Sequence, residues 1–109
     1  MIIEYIRYRI DAPRTEAFLG AYREAEASLR ASPHCLGYDL SCCTDAPDHF
    51  VLRIHWDSAE GHLAGFRTGP HFPGFFRAVQ PFVADIEEMR HYDATGISWS
   101  RARCLRQCS

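Results

Sequence analysis

From Phe50 to Trp56 the chain alternates without a break: Phe50, Leu52, Ile54 and Trp56 are large and apolar, while Val51, Arg53 and His55 stand between them. Successive side chains of a strand point to opposite faces, so this segment is a strand with one core face and one mixed face. Its apolar side has to be covered by other elements. The first residues repeat the pattern, with Ile2, Ile6, Tyr8 and Ile10 on one side and Ile3, Tyr5, Arg7 and Arg9 on the other.

The stretch between these two strands supplies a cover. Asp11-Ala12-Pro13 places a cap and a first-turn proline ahead of Phe18, Tyr22, Ala25 and Leu29, which recur at helical spacing as far as Arg30. That predicts a helix of about five turns. Ser32-Pro33 ends it, and Leu36, Tyr38, Leu40 and Cys42 then alternate with Gly37, Asp39 and Ser41 in a second strand, closed into a hairpin by the turn from Thr44 to Asp48. Beyond Trp56, Asp57 with Glu60 three residues on reads as a capping-box variant opening a short helix with His62, Leu63 and Phe66, broken at Gly69-Pro70. An aromatic-rich helical piece from His71 to Val79 follows, and Val83 to Tyr92 reads as a last strand in which Glu87-Glu88 leaves the inward face open.

The order βαββαβ is the split βαβ, or ferredoxin-like, arrangement: an α+β fold whose four-stranded antiparallel sheet carries its helices on one face. The other face would present Ile3, Tyr5, Arg7, Val51, Arg53 and His55, which is too apolar for a solvent surface. A homodimer pairing two such faces would bury it, giving a dimeric α/β barrel. At 109 residues, 47% of them hydrophobic, the chain suffices for one domain and one core. We expect the domain to span residues 1–93 and residues 94–109, which lack a clear period, to form a tail outside it.

Charge and cysteine usage narrow the functional classes. The net charge is −2 and the twelve basic residues, all Arg, are spread along the chain rather than massed, so a nucleic-acid partner is not expected. The N-terminal apolar run holds charges and lacks a small-residue cleavage site, and no segment has membrane-spanning length, so neither a signal peptide nor a membrane is expected and a cytoplasmic location follows. Five cysteines, Cys35, Cys42, Cys43, Cys104 and Cys108, include no C-x-x-C pair and argue against a disulfide framework or a structural zinc.

Four segments together carry a family likeness: the strand Val51-Leu52-Arg53-Ile54-His55-Trp56-Asp57-Ser58, the helix Ala59-Glu60-Gly61-His62-Leu63, Gly69-Pro70-His71-Phe72 with Phe75-Phe76, and Pro33-His34-Cys35-Leu36-Gly37-Tyr38. They resemble the antibiotic biosynthesis monooxygenase family over about residues 1 to 93. The resemblance implies a dimeric α/β barrel whose members oxidise aromatic polyketides or quinols with molecular oxygen and no metal or flavin, while other members degrade haem. In the cofactor-free chemistry the protein positions a phenol, assists its deprotonation, and lets the anion pass an electron to oxygen. Such members commonly place an asparagine amide in the pocket. This chain has no Asn, and Leu52 stands where one such amide would be.

The residues that fit that scheme are few. Trp56 faces the helices, where an indole stacks on a planar substrate or simply fills core. His62 and His71 flank the helix break; each is a candidate base for a phenolic proton, or respectively a solvated helix residue and a local cap. Tyr38 shares the apolar side of the sheet, and Phe66, Phe72, Phe75 and Phe76 are candidate walls of a substrate pocket. Three functions follow: a monooxygenase acting on a small aromatic phenol or quinol, a non-catalytic ligand-binding or stress-associated dimer, and a haem-binding or haem-degrading protein with His71 or His62 as axial ligand.

Overall fold

The computed structural model describes residues 1–101 and has the expected element order. Strand β1 (Ile2–Arg9) leads through a 3-10 turn (Ala12–Arg14) into helix α1 (Thr15–Ala31); β2 (Cys35–Cys42) and β3 (His49–Trp56) form the hairpin. A π-helical turn (Gly61–Phe66), helix α2 (Phe72–Val79) and a second 3-10 turn (Gln80–Asp85) precede β4 (Ile86–Asp93). The sheet is antiparallel in the order β2-β3-β1-β4, the ferredoxin-like topology expected from the pattern.

Every fully buried side chain of the sheet comes from one face. Ile6, Tyr8, Phe50, Leu52, Ile54 and Trp56 pack with Phe18, Tyr22, Ala25 and Leu29 of α1 and with Phe66, Phe75, Val79 and Phe82 from the second half of the chain. The residues between them, Ile3, Tyr5, Val51, Arg53 and His55, are half-buried, and among the described residues no helix covers that side. Helix α1 stops because Ser32 is already extended (φ −76°, ψ 125°), the conformation imposed on a residue before proline. Arg14 forks onto Asp85 at 2.7 and 3.1 Å, tying the start of α1 to the residue before β4.

Two bulges move side chains away from strict alternation. Trp56 pairs with Cys35 and His55 with Gly37, so Leu36 is the extra residue: it is 59% exposed, and Cys35 takes the inward place expected for it. In β4, Tyr8 pairs with Ile86 but Arg7 with Glu88, leaving Glu87 unpaired. That extra residue turns Met89 and His91 toward the helices and leaves Glu88 and Arg90 outside, which settles the inward face that Glu87-Glu88 left open. Two boundaries and the type of one helix are corrected as well. Val83 belongs to the 3-10 turn that Pro81 opens rather than to β4. The helix after β3 is opened by Ser58, whose Oγ accepts the Gly61 N–H at 2.9 Å, because Asp57 is already held by His34 Nδ1 at 2.9 Å. The helix itself widens into π geometry, with Arg67 N–H reaching the His62 carbonyl at 3.1 Å, five residues back. Residues 94–101 form neither helix nor strand, and Ile97 and Trp99 are exposed; Cys104 and Cys108 lie outside the described residues.

Candidate functional site

A partly open cavity of about 120 Å³ lies between the inward face of the sheet and the second half of the chain. Its walls are apolar and largely aromatic, with Phe66, Phe72, Phe75 and Phe76 on the helical side and Ile54 and Met89 from the sheet. Phe66 meets Phe75 edge-on at 5.5 Å and Phe72 at 5.7 Å, while Phe72 and Phe76 stack at 5.7 Å. These are favoured geometries for aromatic rings, so the wall is set by the rings themselves.

One end of this cavity is polar. Trp56, fully buried, donates its indole N–H to Glu4 Oε1 at 3.0 Å, and Glu4 is only 5% exposed. His62, also 5% exposed, stacks on the Trp56 ring at 4.7 Å with 28° between planes. Its Nε2 lies 3.2 Å from His91 Nε2, and both nitrogens lie 3.7 Å from Glu4 Oε2. Burial holds the His62 imidazole below its usual pKa, only partly opposed by the Glu4 charge, so its neutral form is favoured. Its Nδ1 is buried without a partner.

The π-helical turn makes this corner possible. Bonding five residues back widens the turn, and both His62 and Phe66 reach the indole, the first stacked and the second tilted at 4.9 Å. Gly69 lets the chain leave that turn: a Cβ there would sit 2.2 Å from the Gly65 carbonyl oxygen, which backbone cannot yield cheaply.

A phenolic pair sits on the side of the cavity toward α1. The hydroxyls of Tyr8 and Tyr22 share a short hydrogen bond, and burial pushes the Tyr8 pKa up to about 12 and that of Tyr22 higher still.

Of the residues singled out in the sequence, Trp56, His62, Phe66, Phe72, Phe75 and Phe76 line this one cavity. Tyr38 does not; it faces a groove between α1 and β2, where its hydroxyl donates to Glu26 at 2.7 Å and accepts from Arg30 at 2.7 Å. His71 is also outside the lining: it is the residue before α2, and its carbonyl accepts the Phe75 N–H. Sequence reasoning missed Glu4 and His91. Glu4 had a signal, since it is the lone charge on the otherwise apolar even-numbered side of β1. His91 had none, because only the Glu87 bulge turns it inward.

The fold and this chamber define a ferredoxin-like α+β protein with an aromatic-walled interior and a Glu-Trp-His corner. The sequence profile of the antibiotic biosynthesis monooxygenase family matches residues 1–78, and the chain belongs to that family. A Bordetella bronchiseptica protein described as an antibiotic biosynthesis monooxygenase superposes with a TM-score of 0.74 at 20% identity, covering 86% of this chain and 96% of its own. SnoaB, a cofactor-independent oxygenase from Streptomyces nogalater, superposes with a TM-score of 0.73 at 15% identity, covering 91% of this chain and 97% of its own. The Bacillus subtilis protein YczJ, uncharacterized, is 21% identical over 92 residues, which is 84% of this chain and 97% of YczJ. Among the described residues, no helix is long and apolar enough to cross a membrane.

Proposed function

We propose that this chain is a monooxygenase that oxidises a single-ring phenol or quinol with molecular oxygen. The observation that carries the reading is the cavity with one polar end: about 120 Å³ of aromatic-walled space with Glu4, Trp56 and His62 at that end. An apolar cavity of roughly 150 Å³ holds one benzene-sized ring, so a ring with its hydroxyl toward the polar end is the guest that fits, and a porphyrin is not. The Glu4 carboxylate and the neutral His62 imidazole are the proton acceptors at that end. His71, away from the lining, has no part in this scheme.

The chemistry then follows from the substrate. Loss of the phenolic proton leaves an electron-rich anion, which transfers one electron to oxygen; the radical pair joins at ring carbon, and the peroxide loses water. One oxygen atom ends in the quinone and the other in water. In this scheme no cofactor carries a step; the protein contributes the base and a chamber that keeps water from the intermediates. The family membership and the likeness to SnoaB support oxygen chemistry, and the half-buried outer face of the sheet supports a homodimer in which a second copy covers Ile3, Tyr5, Val51 and His55.

The test is an oxygen-electrode panel of monocyclic phenols and hydroquinones with the purified chain. Oxygen uptake matched by quinone formation, and lost in His62→Gln, is the expected result. Tight binding of the same compounds without oxygen uptake would replace this reading by a non-catalytic ligand-binding one.

A further inference from the structure

The corner that closes the cavity has a second property, independent of any phenol. We propose that Glu4, His62 and His91 form a three-ligand site for a divalent first-row transition ion. The donors come from three separate elements, β1, the π-helical turn and β4, and their atoms lie within 4.8 Å of one another. The two Nε2 atoms are 3.2 Å apart and each is 3.7 Å from Glu4 Oε2. An ion held about 2.0–2.2 Å from each donor requires donor-to-donor separations of roughly 3.0–3.6 Å, from octahedral to tetrahedral angles. The observed triangle is within about 0.2 Å of that requirement. The carboxylate distances are beyond hydrogen-bond reach; the two Nε2 atoms hydrogen-bond to each other at 3.2 Å, and an ion would take the place of the proton they share.

The carboxylate has the outer support a metal centre needs, whereas His62 Nδ1 is buried without a partner. Trp56 Nε1 donates to Glu4 Oε1 at 3.0 Å, which fixes the carboxylate and leaves Oε2 turned to the histidines; this is the outer hydrogen bond that orients a ligating carboxylate. His62 is clamped between the Trp56 ring at 4.7 Å and the His91 ring at 5.1 Å. The His91 side chain is 43% exposed, beside a surface pocket lined by Ile2, Ala59 and Leu63, which gives an ion a route from solvent. Glu4 and His62 line the cavity and His91 the surface pocket, so an ion with only these three protein ligands keeps coordination positions open to small molecules. Two imidazoles and one carboxylate are the donor set of zinc hydrolases and of non-haem iron sites, so the ion class is Zn²⁺, Fe²⁺, Co²⁺ or Mn²⁺ rather than Ca²⁺ or Mg²⁺. A seated ion takes the His62 Nε2 and Glu4 Oε2 lone pairs, so the ion-loaded form and the base-competent form exclude each other.

The measurement uses the full chain, stripped with EDTA and desalted, without substrate, so its failure leaves the oxidation reading to be judged by oxygen uptake alone. Co²⁺ is titrated in while its visible ligand-field bands are followed, and Zn²⁺ is titrated calorimetrically. One ion per chain is expected, with His91→Ala and Glu4→Gln each weakening it at least ~10-fold. His91→Ala is the deciding variant because its side chain is half exposed, and circular dichroism verifies that it folds. Absence of binding below about 100 μM, a thiolate charge-transfer band that places cobalt on cysteine, or affinity unchanged in His91→Ala would each overturn the site.

Discussion

Replacing Trp56 by Phe tests whether the buried Glu4 carboxylate depends on the indole. The substitution keeps an aromatic ring in the core but removes the donor 3.0 Å from Glu4 Oε1, and that carboxylate is 5% exposed. A hydrogen bond to a charged group is worth about 1.5–3 kcal/mol, and the void left by the smaller ring adds about 1 kcal/mol. The sum, about 2.5–4 kcal/mol, is a large part of the stability of a domain this size and corresponds to a fall in Tm of roughly 11–17 °C. Glu4→Gln separates the two parts, since an amide oxygen still accepts the indole N–H but only as a neutral bond of about 0.5–1.5 kcal/mol. In that background Trp56→Phe should therefore cost about 1–1.5 kcal/mol less. The assay is a double-mutant cycle from urea unfolding followed by far-ultraviolet circular dichroism. A coupling energy under about 0.5 kcal/mol, the scatter of independent sites, would show that the bond does not support the carboxylate and would refute the reasoning.

Further outcomes follow from the same geometry. With a turned-over phenol in hand, His62→Gln should lower kcat by about 10²–10⁴-fold whereas His71→Ala should stay within about twofold; equal losses in steady-state assays would move the base away from the cavity corner. Burial raises the Tyr8 pKa from 10.0 to about 12, so the folded chain keeps a proton that the unfolded chain loses. Stability from this group is complete below pH 10 and is lost as the pH rises toward 12, by about 2–3 kcal/mol, and Tyr8→Phe should make that slope shallower while Tyr22 keeps its own share; a wild-type curve flat from pH 9.5 to 11.5 would contradict it. Gly69→Ala should destabilise by at least about 1–3 kcal/mol, because its Cβ meets backbone oxygen; calorimetry showing an unchanged Tm would place the turn in a different conformation. Phe76→Ala, at a wall position 39% exposed, should raise KM about tenfold with little change in Tm, and an unchanged KM would remove Phe76 from the substrate wall.

The sheet and α1 were legible because their periods are clean: β1 and β3 bury every even-numbered residue from Glu4 to Tyr8 and from Phe50 to Trp56. So were the aromatic walls, since Phe66, Phe72, Phe75 and Phe76 crowd a short span around one helix break. What escaped was set by departures from regularity. Leu36 and Glu87 are single extra residues that no propensity marks, and each changes which neighbours point inward. Tyr38 has the inward parity expected of it, yet it sits at the sheet edge under α1, where Glu26 and Arg30 capture its hydroxyl. Parity names a face but not a position along it. Glu4 was overlooked for the opposite reason, as a charge in a place where an apolar residue would have been unremarkable.

The Glu87 bulge gives the fold an unusual freedom. Whether the last strand offers Met89 and His91 or Glu88 and Arg90 to the interior depends on whether Glu87 is bulged out of the ladder or paired within it. Taking Glu87 into the ladder opposite Arg7 would carry Glu88 to the place opposite Ile6 and Arg90 to the place opposite Glu4, converting a chamber floor suited to imidazole chemistry into one built on a guanidinium. A single bulged residue thus sets the interior chemistry of the last strand, and the smooth strand would present Glu88 and Arg90 where the bulged one presents Met89 and His91.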